Sequence, residues 1–188
     1  ADPKPGISNL TVNVVGAAAG VQGFAAFVGV AKGVNFENCT ATGTLSGSHS
    51  MGGFCVQCYG DSLFKDCVNE AEITSTASKK VGGFIGQIQG PGKITGVQFV
   101  NCVNNGAVTA LKNFGDNGIG GFIGYDGADG ARNFSNCTNT GAMTATGIGV
   151  GSFVGFVNSN SYATSIEGNT AQAGMLAIGK VKGRKATC

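Results

Sequence analysis

One block of sequence recurs along this chain, and a repeat restricts the fold more tightly than any composition does. The block has two halves. The first half reads VGGFIGQIQG from Val81 and IGGFIGYDGADG from Ile119. The second reads FVNCVNNGAVTA from Phe99 and FSNCTNTGAMTA from Phe134. Looser copies come earlier: GFAAFVGVAKG from Gly23 with FENCTATGTLSG from Phe36, and MGGFCVQCYG from Met51 with FKDCVNEAEITS from Phe64. A further half-copy, VGSFVGFVNS, starts at Val150.

The second halves are in strict register. Phe36, Phe64, Phe99 and Phe134 are spaced by 28, 35 and 35 positions, and so are Cys39, Cys67, Cys102 and Cys137. In the first halves Phe24, Phe54, Phe84, Phe122 and Phe153 recur at 30, 30, 38 and 31. Length varies only between the similar blocks, where loops belong. Each unit is too short to bury an apolar face alone, so neighbouring units must stack.

Helical repeats are excluded by glycine, which fills 34 of the 188 positions and costs about 1 kcal/mol at each helix-interior site. Short runs such as GFIGQI, GAVTA and GAMTA suit strands bounded by turns. Gly and Asn at the corners tolerate positive φ. The expected fold is all-β: a parallel β-solenoid, a right-handed β-helix of about five Gly-rich repeats. Like residues then stack on like between coils. The expected organisation is an N-terminal segment and cap over 1–22, solenoid repeats over 23–163, and a C-terminal cap with a basic tail over 164–188.

Charge excludes one large class of partner. Charged residues are 12% and the net charge is +2, too little for binding led by phosphate neutralisation, so no nucleic acid is expected. No uninterrupted apolar run of ~20 residues occurs, so no direct membrane insertion is expected. Seven cysteines, low charge and many Asn, Ser and Thr suit a secreted or cell-surface protein. The start at Ala1 without a secretory signal then implies a processed or truncated product. Glycosylation sequons stand at Asn9, Asn38, Asn133 and Asn136.

The pattern G-G-F-hydrophobic-G, a linker, then N-C-x-x-x-G-x-hydrophobic-T/S resembles the GLUG repeat of bacterial cell-surface proteins. It is carried by NCTATGTLSG at Asn38, NCVNNGAVTA at Asn101 and NCTNTGAMTA at Asn136, with GGF at Gly52, Gly82 and Gly120. The likeness covers roughly 23–160. The second unit departs, with Ala71 where the others have Gly. The resemblance implies an exported, adhesin-like repeat architecture and brings no catalytic residues.

Chemistry-bearing residues are sparse. Cys39, Cys67, Cys102 and Cys137 form a core ladder with Phe36, Phe64, Phe99 and Phe134. They stack either as free thiols acting as small hydrophobes or as inter-coil staples, because strands lie about 4.8 Å apart. Cys55 and Cys58 form C-x-x-C. They are a candidate disulfide, with free thiols or a zinc site including His49 and Cys67 as alternatives. Cys188 is the obvious unpaired thiol. Asp126 and Asp129 lie in YDGADG, where Asp-Gly reads as a solvated turn. No catalytic group, metal site or cofactor is expected: G-x-S-x-G is absent, and the Gly-rich strings fail the dinucleotide pattern. An ice-binding face would need a flat Thr-x-Thr array, and only Thr74, Thr109 and Thr144 align.

The expected function is therefore non-catalytic. Linker loops near 59–63, 87–97, 111–118 and 125–132 would contact a host or matrix protein, or a glycan, with Tyr59, Asp61, Tyr125, Asp126 and Asp129 as the candidate partner-binding residues. The alternatives are a carbohydrate-active β-helix enzyme, needing an acidic groove over Asp61, Asp66, Asp126 and Asp129, and a passive spacer within a larger surface protein.

Overall fold

The computed structural model describes residues 4–18, 23–77, 80–89, 96–111, 115, 117–146, 149–158 and 162–182. Every regular element among them is a β-strand, and the strands return to the same four sheets in the same order. We call these sheets walls 1 to 4. The first coil runs through Gly6–Ser8, Thr11–Ala18, Phe24–Ala25 and Val28–Lys32, one strand per wall. The second repeats the circuit through Asn35–Glu37, Thr40–Gly47, Met51–Gly52 and Cys55–Tyr59. All pairings between coils are parallel, so the fold is a parallel β-solenoid of about five turns, as the repeat predicts.

The solenoid register reaches into both end segments. Gly6–Ser8 and Thr11–Ala18 stand in register with Asn35–Glu37 and Thr40–Gly47 and form strands of the first coil. At the other end Tyr162–Glu167 and Ile178–Val181 extend walls 1 and 4. Asn169 there takes the ladder position of the cysteines. Its Oδ1 accepts from the Cys137 N–H at 2.6 Å and its Nδ2 donates to the Phe134 carbonyl at 2.9 Å.

Two columns of phenylalanine fill the centre. Phe36, Phe64, Phe99 and Phe134 stack with centroids 4.9 Å apart. Beside them Phe27, Phe54, Phe84, Phe122 and Phe153 stack at 4.7–5.2 Å. The columns meet edge to face, for example Phe54 on Phe64 at 90°. Offset stacking within a column and T-shaped contact between columns are the two favourable aromatic geometries. The first member of the second column is Phe27 rather than Phe24. Wall 3 pairs Phe24 with Met51, which places Phe27 on Phe54. The first copy has two phenylalanines three apart, and its alanines hide the register that GGF marks elsewhere.

Two asparagine columns hold the corners. Between walls 1 and 2, Asn9, Asn38, Asp66, Asn101 and Asn136 all adopt left-handed φ of 51–54°. Asn and Asp carry this conformation at lower cost than other non-glycine residues. Asn38 donates to Asn9 at 2.8 Å and Asn101 to Asp66 at 3.0 Å. Three of the four sequon asparagines thus form part of a hydrogen-bonded corner.

The second column is buried. Asn69 Nδ2 donates to Asn104 Oδ1 at 2.7 Å, and Asn104 Nδ2 to Asn139 Oδ1 at 2.8 Å. Asn139 Nδ2 ends on the carbonyl and hydroxyl of Ser152, at 3.0 and 3.1 Å. Each amide lies where a glycine leaves room. A Cβ on Gly83 would stand 2.7 Å from Asn104 Cγ, and one on Gly121 would stand 2.6 Å from Asn139 Cγ. The second coil has Ala41 in this column, and Asn69 Oδ1 in the third has no partner.

Candidate functional site

The sequence places its candidate contact residues where wall 4 turns into wall 1. Strands there end at Lys32, Tyr59, Ile88, Asp126 and Val157, and the next coil begins a few residues later. The structure keeps three of the five candidates at the surface. Tyr59 ends the strand Cys55–Tyr59, is half-buried and pairs in register with Lys32. Asp61 is half-buried: its Oδ1 accepts the Gly96 N–H at 2.7 Å and its carbonyl accepts Lys4 Nζ at 3.0 Å. Asp129 is exposed in the turn between walls 4 and 1.

Tyr125 and Asp126 are corrections. Both belong to the strand Ile123–Asp126 and both are buried. Tyr125 stacks on Phe156 at 5.6 Å, lies under Lys80 Nζ at 3.8 Å from its ring centre, and accepts from Asn158 Nδ2 at 2.8 Å through its hydroxyl. The ring is thus covered by a cation, an amide and a second ring, and presents no face to a partner.

Asp126 takes part in a buried ion pair. Its column in wall 4 contains Ile88 and Cys58, and it is 0% exposed. Across the turn Arg132 stands in the Val97 column of wall 1, also 0% exposed. Arg132 Nε lies 2.6 Å from Asp126 Oδ2, and its second terminal nitrogen donates to Oδ1 at 2.8 Å. The Nε–Oδ2 approach is a charge contact outside hydrogen-bond geometry, and the directed link of the pair is the charge-assisted bond to Oδ1. The remaining donors go to the Ala128 and Ala131 carbonyls at 3.0 and 2.8 Å, and the Ala128 N–H returns to Asp126 Oδ1 at 3.2 Å. Burial pushes the Asp126 carboxyl up from its ordinary range, against the pull of Arg132. The pair ties the turn Gly127–Asp129 to the core from inside. Sequence reading missed Arg132. The signal was the column: a charged residue at an apolar ladder position in each of two consecutive strands, the last of one coil and the first of the next.

The carboxylates proposed for an acidic groove are not gathered. Asp61 and Asp66 flank the strand Ser62–Lys65, which separates them by roughly 16 Å of extended chain. Asp66 sits at the opposite corner, between walls 1 and 2, and Asp126 is committed to Arg132. Among the described residues no group of three or more His, Cys, Asp or Glu could hold a metal ion.

The six cysteines among the described residues are free thiols. Cys39, Cys67, Cys102 and Cys137 are buried in their column, each with its Sγ on the carbonyl two residues earlier, at 3.2–3.4 Å. Cys55 and Cys58 form no disulfide. They lie in one extended strand, Cys55–Tyr59, so their Cα atoms are about 10 Å apart, beyond the ~7 Å a disulfide can span. Burial pushes the Cys55 thiol well above its ordinary value. The native protein should therefore release at most one equivalent in a thiol-reagent titration, the single Cys188, which lies outside the described residues. Denaturant should release all seven. Five or fewer after denaturation would establish a disulfide.

The outer face of wall 2 is a second surface. Ser46, Thr74, Thr109 and Thr144 align along it, while exposed Glu70 and Glu72 interrupt the face in the third coil. Comparisons of the chain with protein-family models, with curated proteins and with solved structures find no match.

Proposed function

We propose that this chain is a non-catalytic, exported binding module that presents the turns between walls 4 and 1 to a protein or glycan on another cell or in a matrix. The observation that carries this reading is the Asp126–Arg132 pair. A buried ion pair is at best a break-even contribution to stability compared with an apolar pair. This one spends its hydrogen bonds on the turn that presents Asp129, fixing Gly127–Asp129 through buried Ala128 on the same side as Tyr59 and Asp61. Rigid presentation of a surface loop lowers the entropic cost of binding. The likeness of the repeats to GLUG units supports the exported, adhesin-like setting.

The test is an array of glycans and matrix proteins probed with the purified chain and with a Tyr59→Ala/Asp129→Ala variant. Neither residue is in the core, so the variant should fold as the parent does. We expect one class of ligand to be retained and its signal to drop at least tenfold in the variant, about 1.4 kcal/mol. Retention unchanged by the variant would move binding to another face. No retention of any class would favour a spacer role.

A further inference from the structure

We propose that the open end of the first coil is a docking face for a second copy of this chain, joined end to end about a two-fold axis. The first coil contributes the terminal strand of all four walls. Gly6–Ser8, Thr11–Ala18, Phe24–Ala25 and Val28–Lys32 each pair on one side only among the described residues. Their outer edges surround an apolar cross-section. Ile7, Val14, Phe24, Phe27, Val28 and Val34 pack on the core but are only partly buried. One coil further in, Phe36, Met51, Phe54 and Cys55 are fully buried in the same columns.

The chemistry of this end defines its occupant. It offers strand edges on four sides of one apolar centre, so a single added peptide strand could satisfy only one side. A matching coil end satisfies all four. The four strands carry one charged residue, Lys32, so two copies meet with little like-charge repulsion. The longest edge, TVNVVGAA, has no Pro, Lys or Glu, the devices that keep strand edges from pairing. Lys4, which could have guarded the end, reaches back along the side to the Asp61 carbonyl. A two-fold arrangement uses the same surface on both copies and closes at two.

The edge can be blocked without disturbing the coil. The Thr40 N–H donates to the Leu10 carbonyl with Thr11 opposite Thr40. In a parallel ladder the amides of Val12, Val14 and Gly16 then face inward, and those of Thr11, Asn13, Val15 and Ala17 face the open edge. Val15 is 82% exposed. Val15→Pro removes one outward amide and no inward one, and Pro is tolerated on an edge in that orientation. Val15→Thr keeps the amide.

Sedimentation velocity from low to high micromolar concentration should show a monomer–dimer equilibrium for the parent and for Val15→Thr. Val15→Pro should stay monomeric. A parent that is monomeric throughout, a Val15→Pro dimer of unchanged affinity, or open-ended growth into longer species would each overturn the proposal. If Val15→Pro misfolds, amide exchange on the parent decides. Protection of the Thr11, Asn13, Val15 and Ala17 amides should rise with concentration, and protection independent of concentration would refute the contact.

Discussion

Asp126→Ala should lower the stability of the chain by about 3–5 kcal/mol, because it leaves a fully buried guanidinium without its counter-ion. For a chain of this size that is a fall in thermal midpoint of roughly 10 °C or more. The paired replacement Asp126→Ile/Arg132→Val should behave differently. It installs the Ile88 and Val97 pair that occupies the same two columns one coil earlier. Exchanging a buried ion pair for packed apolar groups is commonly neutral or stabilising by about 1–4 kcal/mol. The paired variant should therefore melt at or above the parent midpoint, while amide exchange in Gly127–Asp129 quickens because the turn has lost its internal anchor. Thermal melts and exchange together read both effects. A single variant as stable as the parent would show that the pair is not closed in solution. If the paired variant also loses ligand, the pair serves presentation rather than folding.

Gly82→Ala should be more damaging still. An added Cβ there would fall far inside contact distance of the Ile85 carbonyl oxygen, and would stand 2.7 Å from the Phe122 oxygen and 2.8 Å from the Gly124 nitrogen. All three are backbone atoms of walls 3 and 4, so no side chain can move aside. The glycines of the GGF blocks let two walls approach backbone to backbone, and one methyl group separates them. The expected loss exceeds ~4 kcal/mol, the range reserved for disrupted cores. Gly96→Ala is the control, since its Cβ would meet nothing within 4 Å and its φ is not left-handed. It should be neutral or gain a few tenths of a kcal/mol from the lower chain entropy of the unfolded state. Circular dichroism melts of both variants give the comparison. A Gly82→Ala protein with the parent midpoint would mean that the two walls are not in contact.

The fold was legible because stacking makes equivalent positions chemically alike. The Phe36 and Cys39 columns follow directly from their spacing in the sequence. Registration failed where a copy lacks its marker: with no GGF in the first coil, Phe24 looked equivalent to Phe54, although Phe27 is the residue that stacks on it. The site was less legible because short polar motifs describe local turns and say nothing about facing strands. Asp126 before Gly127 has the signature of a solvated turn. Only its alignment with Ile88 and Cys58 reveals a core position, and only the folded turn brings Arg132 to it. Cys55 and Cys58 invited pairing by proximity in sequence, while strand extension holds them apart. The buried amides of Asn69, Asn104 and Asn139 lay within motifs that also suit exposed turns, and nothing local distinguishes the two settings.

The buried amide column has a direction. Asn69 donates to Asn104 and Asn104 donates to Asn139, so each amide-to-amide link runs from one coil to the next and spans 35 residues. A chain of this kind has no preferred length, because removing one link joins a donor to an acceptor again. Excision of the block from Phe99 to Asn133 would bring Asn139 to Asn69 and Phe134 to Phe64, and would take Asp126 and Arg132 out together. Whole coils can thus be lost or duplicated without stranding a buried polar group. The architecture can change its reach by unequal recombination while each surviving turn keeps its shape.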